Sequence, residues 1–268
     1  MSTDTDTLDA RRAALLAATL GVPAPVEGAE LPPLWHWAWF ATAQPPEQLG
    51  RDGHPAPGVV LPDTGLPRRM WAGGRLAFHR PLLVGATLTR TATVGPVVEK
   101  SGRTGRLAFL TQRVTYADAD GPCLTDEIDL VFREDARPAR DRAGFDKLSQ
   151  RNQPTASRTI TPDAVQLFRY SALTFNGHRI HYDADYARDV EGYAGVVIHG
   201  PLLATWLAAL ATEVVGPLRS FSYRGVRAST LGMTLGVHAG PPDADGAVRL
   251  WVTQPDGAAS MTATAVPA

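Results

Sequence analysis

A nine-residue pattern occurs twice in this chain. Arg80-Pro-Leu-Leu-Val-Gly-Ala-Thr-Leu88 and Arg227-Ala-Ser-Thr-Leu-Gly-Met-Thr-Leu235 both read R-x-x-x-[V/L]-G-x-T-L, 147 residues apart. Each copy runs into a segment with strand character, so the repeat predicts two related halves. The chain has 268 residues and 44% hydrophobic content, enough for two domains of about 130 residues with a core in each. Asp135 to Gln153 is polar, charged and without period, and reads as the linker between them.

The elements expected on the two sides of that linker differ in kind. Asp9 to Leu20 has apolar residues at helical spacing and is stopped by Gly21 and Pro23. Leu34 to Thr42, where Trp35, Trp37 and Trp39 alternate, reads as an aromatic strand or a short buried helix. Gln44 to Arg69 is dense in proline and glycine, which predicts a long irregular loop of the kind that forms lids and binding loops. Strand-like runs at 75–79, 87–94, 107–116 and 127–132 suggest an antiparallel meander. In the second half, Thr159 to Asp163 predicts a strand end and an N-cap, followed by a helix through Leu167 and Phe168. A short helix is expected over Asp183 to Arg188, and Pro201 to Val215 is apolar nearly all round, as a central buried helix would be. Runs at 220–223, 233–238, 247–253 and 258–265 complete a second set of strands.

Composition removes several functional classes. With 26 basic and 27 acidic residues and a net charge of -1, the chain has no phosphate-tracking surface, so no nucleic-acid partner is expected. A single cysteine, Cys123, excludes an intramolecular disulfide and any multi-cysteine metal site. No apolar run reaches the ~18 residues of a membrane span, and the acidic start lacks the features of a secretory signal. A soluble cytoplasmic protein without a membrane partner is expected. The parts of a triad hydrolase, a P-loop NTPase, a dinucleotide-binding fold and a zincin are missing.

The residues with chemical potential cluster in one place. Tyr170 to Asp183, "YSALTFNGHRIHYD", sets Asn176, His178, Arg179 and His181 just after a helix, and Val197-Ile-His199-Gly200-Pro-Leu leads into the apolar helix. Across Phe168 to Leu210 this order resembles the MaoC-like (R)-specific hydratases and the type 2 hydroxyacyl-thioester dehydratases. The resemblance implies an α+β double hotdog fold, an antiparallel sheet wrapped around a long helix in each half. Residues 1–140 would form the half without the motif and 155–268 the catalytic half. It also implies addition or removal of water across the α,β carbons of an acyl-CoA or acyl-carrier thioester, with no cofactor and in a homo-oligomer. The family motif reads roughly D-x-N-P-x-H; here Asn176 stands at the aspartate position, five residues before His181. That variant looks like the mitochondrial type 2 dehydratases and the mesaconyl- or itaconyl-CoA hydratases, so a short branched or dicarboxylic enoyl-CoA is the substrate it points to. A 3-hydroxyacyl chain of fatty-acid type is the near alternative.

The chemistry gives each residue a reason. Hydration needs a base of suitable pKa, which His181 supplies. Asn176 does not titrate, but its carboxamide both accepts and donates, so it would orient water or substrate. The Gly200 amide, at the start of a helix, is placed to stabilise negative charge on the thioester oxygen. His178, Arg179, His199 and Arg224 are candidates for binding substrate, although a solvated surface arginine is the commoner fate of Arg179 and Arg224. Asp183 reads as a helix N-cap, and His36, His54, His79 and His238 as surface or hydrogen-bonded residues. His178, His181 and Asp183 are too weak a set to predict a metal site. A hotdog thioesterase and a non-catalytic thioester-binding protein are the rival classes. If the hydratase reading holds, the motif faces inward beside Gly200; if the binding reading holds, its histidines lie on the outer surface.

Overall fold

A computed structural model describes residues 1–102, 105–135 and 153–268; apart from Asp135 and Gln153, the expected linker lies outside them. The first half comprises β1 (Ser2–Thr7), α1 (Ala10–Leu20), β2 (Arg68–Phe78), β3 (Thr87–Val94), β4 (Val98–Gly102), β5 (Gly105–Asp118) and β6 (Gly121–Arg133). The second comprises β7 (Ala156–Ile160), α2 (Ala164–Leu173), α3 (Gly200–Val215), β8 (Leu218–Gly225), β9 (Leu235–Ala239), β10 (Val248–Thr253) and β11 (Ala259–Pro267). Among the described residues these strands make one antiparallel sheet in the order β1-β3-β5-β6-β2-β8-β11-β10-β9-β7, with β4 on β5. The order of the first five strands, β1-β3-β5-β6-β2, returns in mirror sequence as β8-β11-β10-β9-β7, and the β2–β8 pair joins the two sets. This is an α+β double hotdog, although only the second half holds the long central helix expected in each: among the described residues the α-helix of the first half is the shorter α1.

Period-two alternation explains the strands: in β3, Leu88 and Ala92 are buried while Thr87, Thr89 and Thr93 are exposed. The long helix α3 obeys a different rule. Its leucines and alanines are buried on nearly every side, and it packs against β8, β9, β10 and β11. Fully buried leucines such as Leu202 and Leu207 each contribute about 1.5–3 kcal/mol through removal from water. Asp9 and Asp163 cap α1 and α2 by accepting from the amides of Arg12 and Gln166, and the two helices pack on each other.

The two copies of the nine-residue repeat occupy like positions. Each bridges the joining strand and the next, β2 to β3 and β8 to β9. The Arg80 amide donates to the Cys123 carbonyl at 3.1 Å, and the Arg227 amide to the Ser260 carbonyl at 3.2 Å. Cys123 and Ser260 lie near the starts of β6 and β11, which hold matching places in the two strand orders.

Two local expectations change, and an open one is decided in favour of the short buried helix. The tryptophan-rich segment is a 3-10 turn at Trp35–Ala38, with Trp35 and Trp39 buried. Neighbouring prolines and the left-handed Leu34 (φ 71°) leave no room for a longer element. The short helix expected at Asp183 to Arg188 is a single wide turn at Tyr186–Val190. The first-half strands are not a simple meander either: β2 and β3 are consecutive in the chain but separated in the sheet by β6 and β5. Among the described residues no helix is long and apolar enough to cross a membrane.

Candidate active site

The motif is shaped by its own backbone. Helix α2 ends at Thr174, whose hydroxyl returns to the Tyr170 carbonyl, and Phe175 takes a left-handed conformation (φ 49°) that reverses the chain. The Asn176 amide donates to the Ser171 carbonyl at 2.8 Å, and its Oδ1 accepts from the His178 amide at 3.1 Å. This is a side-chain-closed turn of the kind asparagine favours. A 3-10 turn at Arg179–His181 follows. Its buried Ile180 packs in a small cluster with Tyr186, Ala187 and Val197, so the turn is drawn inward by apolar burial.

His181 is 8% exposed, and its Nδ1 donates to the Val197 carbonyl at 2.7 Å. Because a carbonyl only accepts, the proton sits on Nδ1 and Nε2 carries the basic lone pair. The ring stacks on His199 at 3.7 Å between centroids and 19° between planes. His199 caps the start of α3, with Gly200 as the first helical residue and Pro201 behind it. The Ser171 hydroxyl and His199 Nε2 are 2.8 Å apart. The motif turn, the end of α2 and the start of α3 are therefore one hydrogen-bonded unit, and the Gly200 amide stands beside the His181–His199 stack. The histidines are not on the outer surface.

A second contribution comes from the first half. The loop containing Arg51, Asp52, Gly53 and His54 is clasped to the motif turn: the Arg179 amide donates to the Asp52 carbonyl at 2.8 Å and Arg179 Nη1 to the Arg51 carbonyl at 3.1 Å. A β-carbon on Gly53 (φ +85°) would fall 2.1 Å from the Gly177 carbonyl oxygen, so glycine is what allows the two backbones to meet. Asp52 Oδ2 accepts from His54 Nδ1 at 3.0 Å, and the same oxygen lies 4.0 Å from His178 Nε2. The His54 and His178 rings are 4.2 Å apart, and those of His178 and His181 are 5.6 Å apart. Four imidazoles thus run from the loop to the helix start.

Their electrostatics follow from burial. Desolvation pulls His181 down to about 4, partly opposed by its bond to Val197. Desolvation, then the neighbouring imidazoles, holds His178 and His199 well below the ordinary value. Burial also lowers His54, with Asp52 opposing. Burial would raise the Asp52 carboxyl, but the hydrogen bonds and charge of His54 outweigh it, so Asp52 is held below the usual carboxylate range and is ionised.

The other expected residues lie as follows. The Arg179 guanidinium pairs with Asp183 at 2.6 Å and lies over the Tyr186 ring at 4.2 Å, so it ties the turn together. Asp183 also accepts from the Tyr186 amide, a cap for the wide turn. Arg224 is exposed on β8, on the face opposite to that of its buried neighbour Tyr223, and does not join the cluster. His36, His79 and His238 are hydrogen-bonded elsewhere, to Asp126, Thr125, and Ser157 and Thr253. Sequence reasoning missed Asp52 and His54, whose only signal was their place in a proline- and glycine-rich loop. Asp52, His54 and His178 also bring one potential metal-ligating atom each within 4.8 Å of one another.

Comparison with known proteins identifies the family. The family model for hydroxyacyl-thioester dehydratase type 2 matches residues 34–231. The mesaconyl-C(4)-CoA hydratase of Chloroflexus aurantiacus is 41% identical over 251 residues, 92% of this chain and 88% of that protein. The mitochondrial hydroxyacyl-thioester dehydratase type 2 of Schizosaccharomyces pombe is 29% identical over 65% of each chain. A MaoC-like dehydratase from Phytophthora capsici superposes with a TM-score of 0.73 at 15% identity, over 100% of this chain and 94% of that one. HtdX of Mycobacterium tuberculosis superposes with 0.68 at 19% identity over 100% of both. At those identities the two structures bear on the fold alone. Fold and relatives together define an enzyme class, the hydro-lyases that add or remove water at acyl thioesters. Within it, this chain belongs to the hydroxyacyl-thioester dehydratase type 2 family, the MaoC-like group that its motif resembles.

Proposed function

We propose that the chain hydrates, or in reverse dehydrates, a short branched dicarboxylic enoyl-CoA of the mesaconyl-C4-CoA kind, and that His181 moves the proton. The observation that carries the site assignment is the tautomer of His181, fixed by Val197 so that its basic Nε2 is left for the reaction, beside the start of α3. In this reading His181 Nε2 takes a proton from water as the oxygen attacks the β carbon. The electron pair of the double bond moves toward the thioester oxygen, where the Gly200 amide stabilises it. The imidazolium then returns the proton to the α carbon. Asn176 holds the turn through Oδ1, which leaves its NH2 to donate to substrate or water. Residues 1–140 and 155–268 are taken as the two hotdog units, a division that the repeated strand order supports.

The dicarboxylic assignment draws support from Arg69. Arg69 shares its face of β2 with Trp71, whose indole donates to the Tyr223 hydroxyl in the core. Its guanidinium interacts electrostatically with Asp52, His54 and His178, yet makes no hydrogen bond or ion pair among the described residues. In a mesaconyl-C4 thioester the carbon that gains hydroxyl also bears the free carboxylate, so a cation within the histidine cluster suits such a substrate. The test is a panel of mesaconyl-C4-CoA, crotonyl-CoA and a long-chain enoyl-CoA, with gain of water read by mass spectrometry. Mesaconyl-C4-CoA is expected to turn over fastest, and Arg69→Met to raise its KM about tenfold or more while leaving that for crotonyl-CoA nearly unchanged. Faster turnover of the long-chain substrate would replace the dicarboxylic reading with the fatty-acid one.

A further inference from the structure

The histidine cluster is short of negative charge. His54, His178, His181 and His199 stand in sequence, with the Arg69 guanidinium acting on two of them. The other charged or titratable side chains nearby are engaged among themselves. Arg179 is paired with Asp183, Glu191 with Arg68 and the Tyr186 hydroxyl, and Arg51 with Asp135. Asp52 is the one carboxylate, among the described residues, with an oxygen within 4.0 Å of any of the four imidazoles. It is 8% exposed, and His178 Nε2 beside it is buried without a hydrogen-bond partner.

Hydration makes a transient cation in this cluster. While His181 holds the proton taken from water, a positive charge sits among imidazoles already disfavoured in that form by burial. The neighbouring His54 makes it worse, and a fixed anion offsets the cost. Asp52 is such an anion, and it belongs to the half of the molecule that lacks the motif. We infer that Asp52 is a positioning residue for the reaction, the counter-ion that lets the histidine cluster hold one proton during turnover, with His54 and His178 conveying its effect to His181. The inference rests on the hydratase reading above. Asp52 also clamps the loop through its backbone carbonyl, so the charge must be tested apart from the clamp.

Asparagine at position 52 keeps the shape and the backbone contact but removes the charge. Asn176 allows a complementary change, because its Oδ1 already closes the turn onto the His178 amide and aspartate closes such turns equally well. Asn176→Asp therefore returns a carboxylate to the same cluster from its other side. Asp52→Asn is expected to lower kcat about 10- to 100-fold with KM within about threefold. Because aspartate lacks the NH2 donor assigned to Asn176, Asn176→Asp alone is the reference, and adding it to Asp52→Asn is expected to recover at least about tenfold of the loss relative to that reference. A role confined to clamping the loop predicts no such recovery. Should the asparagine protein not fold, Asp52→Ser with and without Asn176→Asp gives the same comparison. Asp52→Asn within twofold of wild type, or no recovery in the double variant, overturns the inference while wild-type turnover upholds the hydratase reading. Absence of wild-type turnover on the whole panel overturns both. Stoichiometric divalent metal in the purified protein, lost in Asp52→Asn, also overturns it, since Asp52 would then be a ligand with His54 and His178.

Discussion

The two halves share one strand order and part company between the first helix and the joining strand. In the second half that stretch holds the motif turn and α3; in the first it runs from residue 21 to 67 through two 3-10 turns and no α-helix. Both halves bury a histidine against polar groups, but with different access. His36 (1% exposed) faces Asp126 (0%) at 3.3 Å, and Trp37 donates to the same carboxylate at 2.8 Å, sealed under aromatic rings. His181 sits where a turn and a helix start converge. The contrast teaches that one strand order can be kept in both halves while the stretch between the first helix and the joining strand differs. Free of a central helix, the first half sends Asp52 and His54 across to the motif of the second.

The largest expected effect breaks this symmetry directly. His181→Ala should lower kcat about 10²–10⁴-fold with little change in melting temperature. His36→Ala should do the reverse, destabilising the fold by about 2–4 kcal/mol because Asp126 loses a buried partner, with kcat per folded molecule nearly unchanged. Steady-state kinetics and thermal melts on both variants decide it; comparable catalytic losses would mean that the two histidines share the chemistry. The pH profile sharpens the point. Burial depresses His181 to about 4, and the proposed base acts in its neutral form, so activity should persist as pH falls below 6 and disappear through about 4. The same depression contributes stability that is present above the unfolded value of about 6.5 and is lost as pH falls from there through the folded value.

A second prediction concerns how the halves hold together. Arg68 on β2 ion-pairs through Nε with Glu191 of the second half and donates from Nη2 to the Glu191 carbonyl at 2.8 Å; both residues are buried. Arg68→Met strands the Glu191 carboxylate and should destabilise the protein by about 3–5 kcal/mol, while Arg68→Met with Glu191→Met should recover much of the loss. Chemical denaturation of the single and double variants measures it. A single variant as stable as wild type would show that the pair contributes nothing to joining the halves.

The sequence made some of this legible and hid the rest for physical reasons. Local signals were readable: Asp9 and Gly21 bound α1, Asp163 caps α2, and the all-round apolar run from Pro201 is the buried α3. The motif was readable because the resemblance covers contiguous residues. What was hidden is long-range. Nothing near Asp52 tells that its loop closes on a turn more than a hundred residues away, since the contact is made by backbone carbonyls and a glycine. Ser2–Thr7 reads as a polar start, yet it is strand β1 because β3 offers it an edge to pair with. Arg179 is a candidate for binding substrate in sequence, but Asp183 four residues on is its partner in the fold.

The smallest effect tests the repeat itself. Gly85 and Gly232 hold the same place in the two nine-residue copies, and their φ angles are 92° and 90°. Both therefore sit where an L side chain is strained, at a cost of about 1–2 kcal/mol. Their surroundings differ in one respect: a β-carbon at Gly232 meets nothing within 4 Å, whereas one at Gly85 falls 1.8 Å from Glu27 Oε1. That oxygen ends a flexible exposed side chain, which rotates away at little cost. Gly232→Ala and Gly85→Ala should then each destabilise by about 1–2 kcal/mol, and Glu27→Ala should remove any excess at Gly85. If the two losses still differ severalfold in the Glu27→Ala background, the turns are not equivalent in energy. The repeat would then record a likeness of sequence and strand order that the folded state does not use in the same way twice.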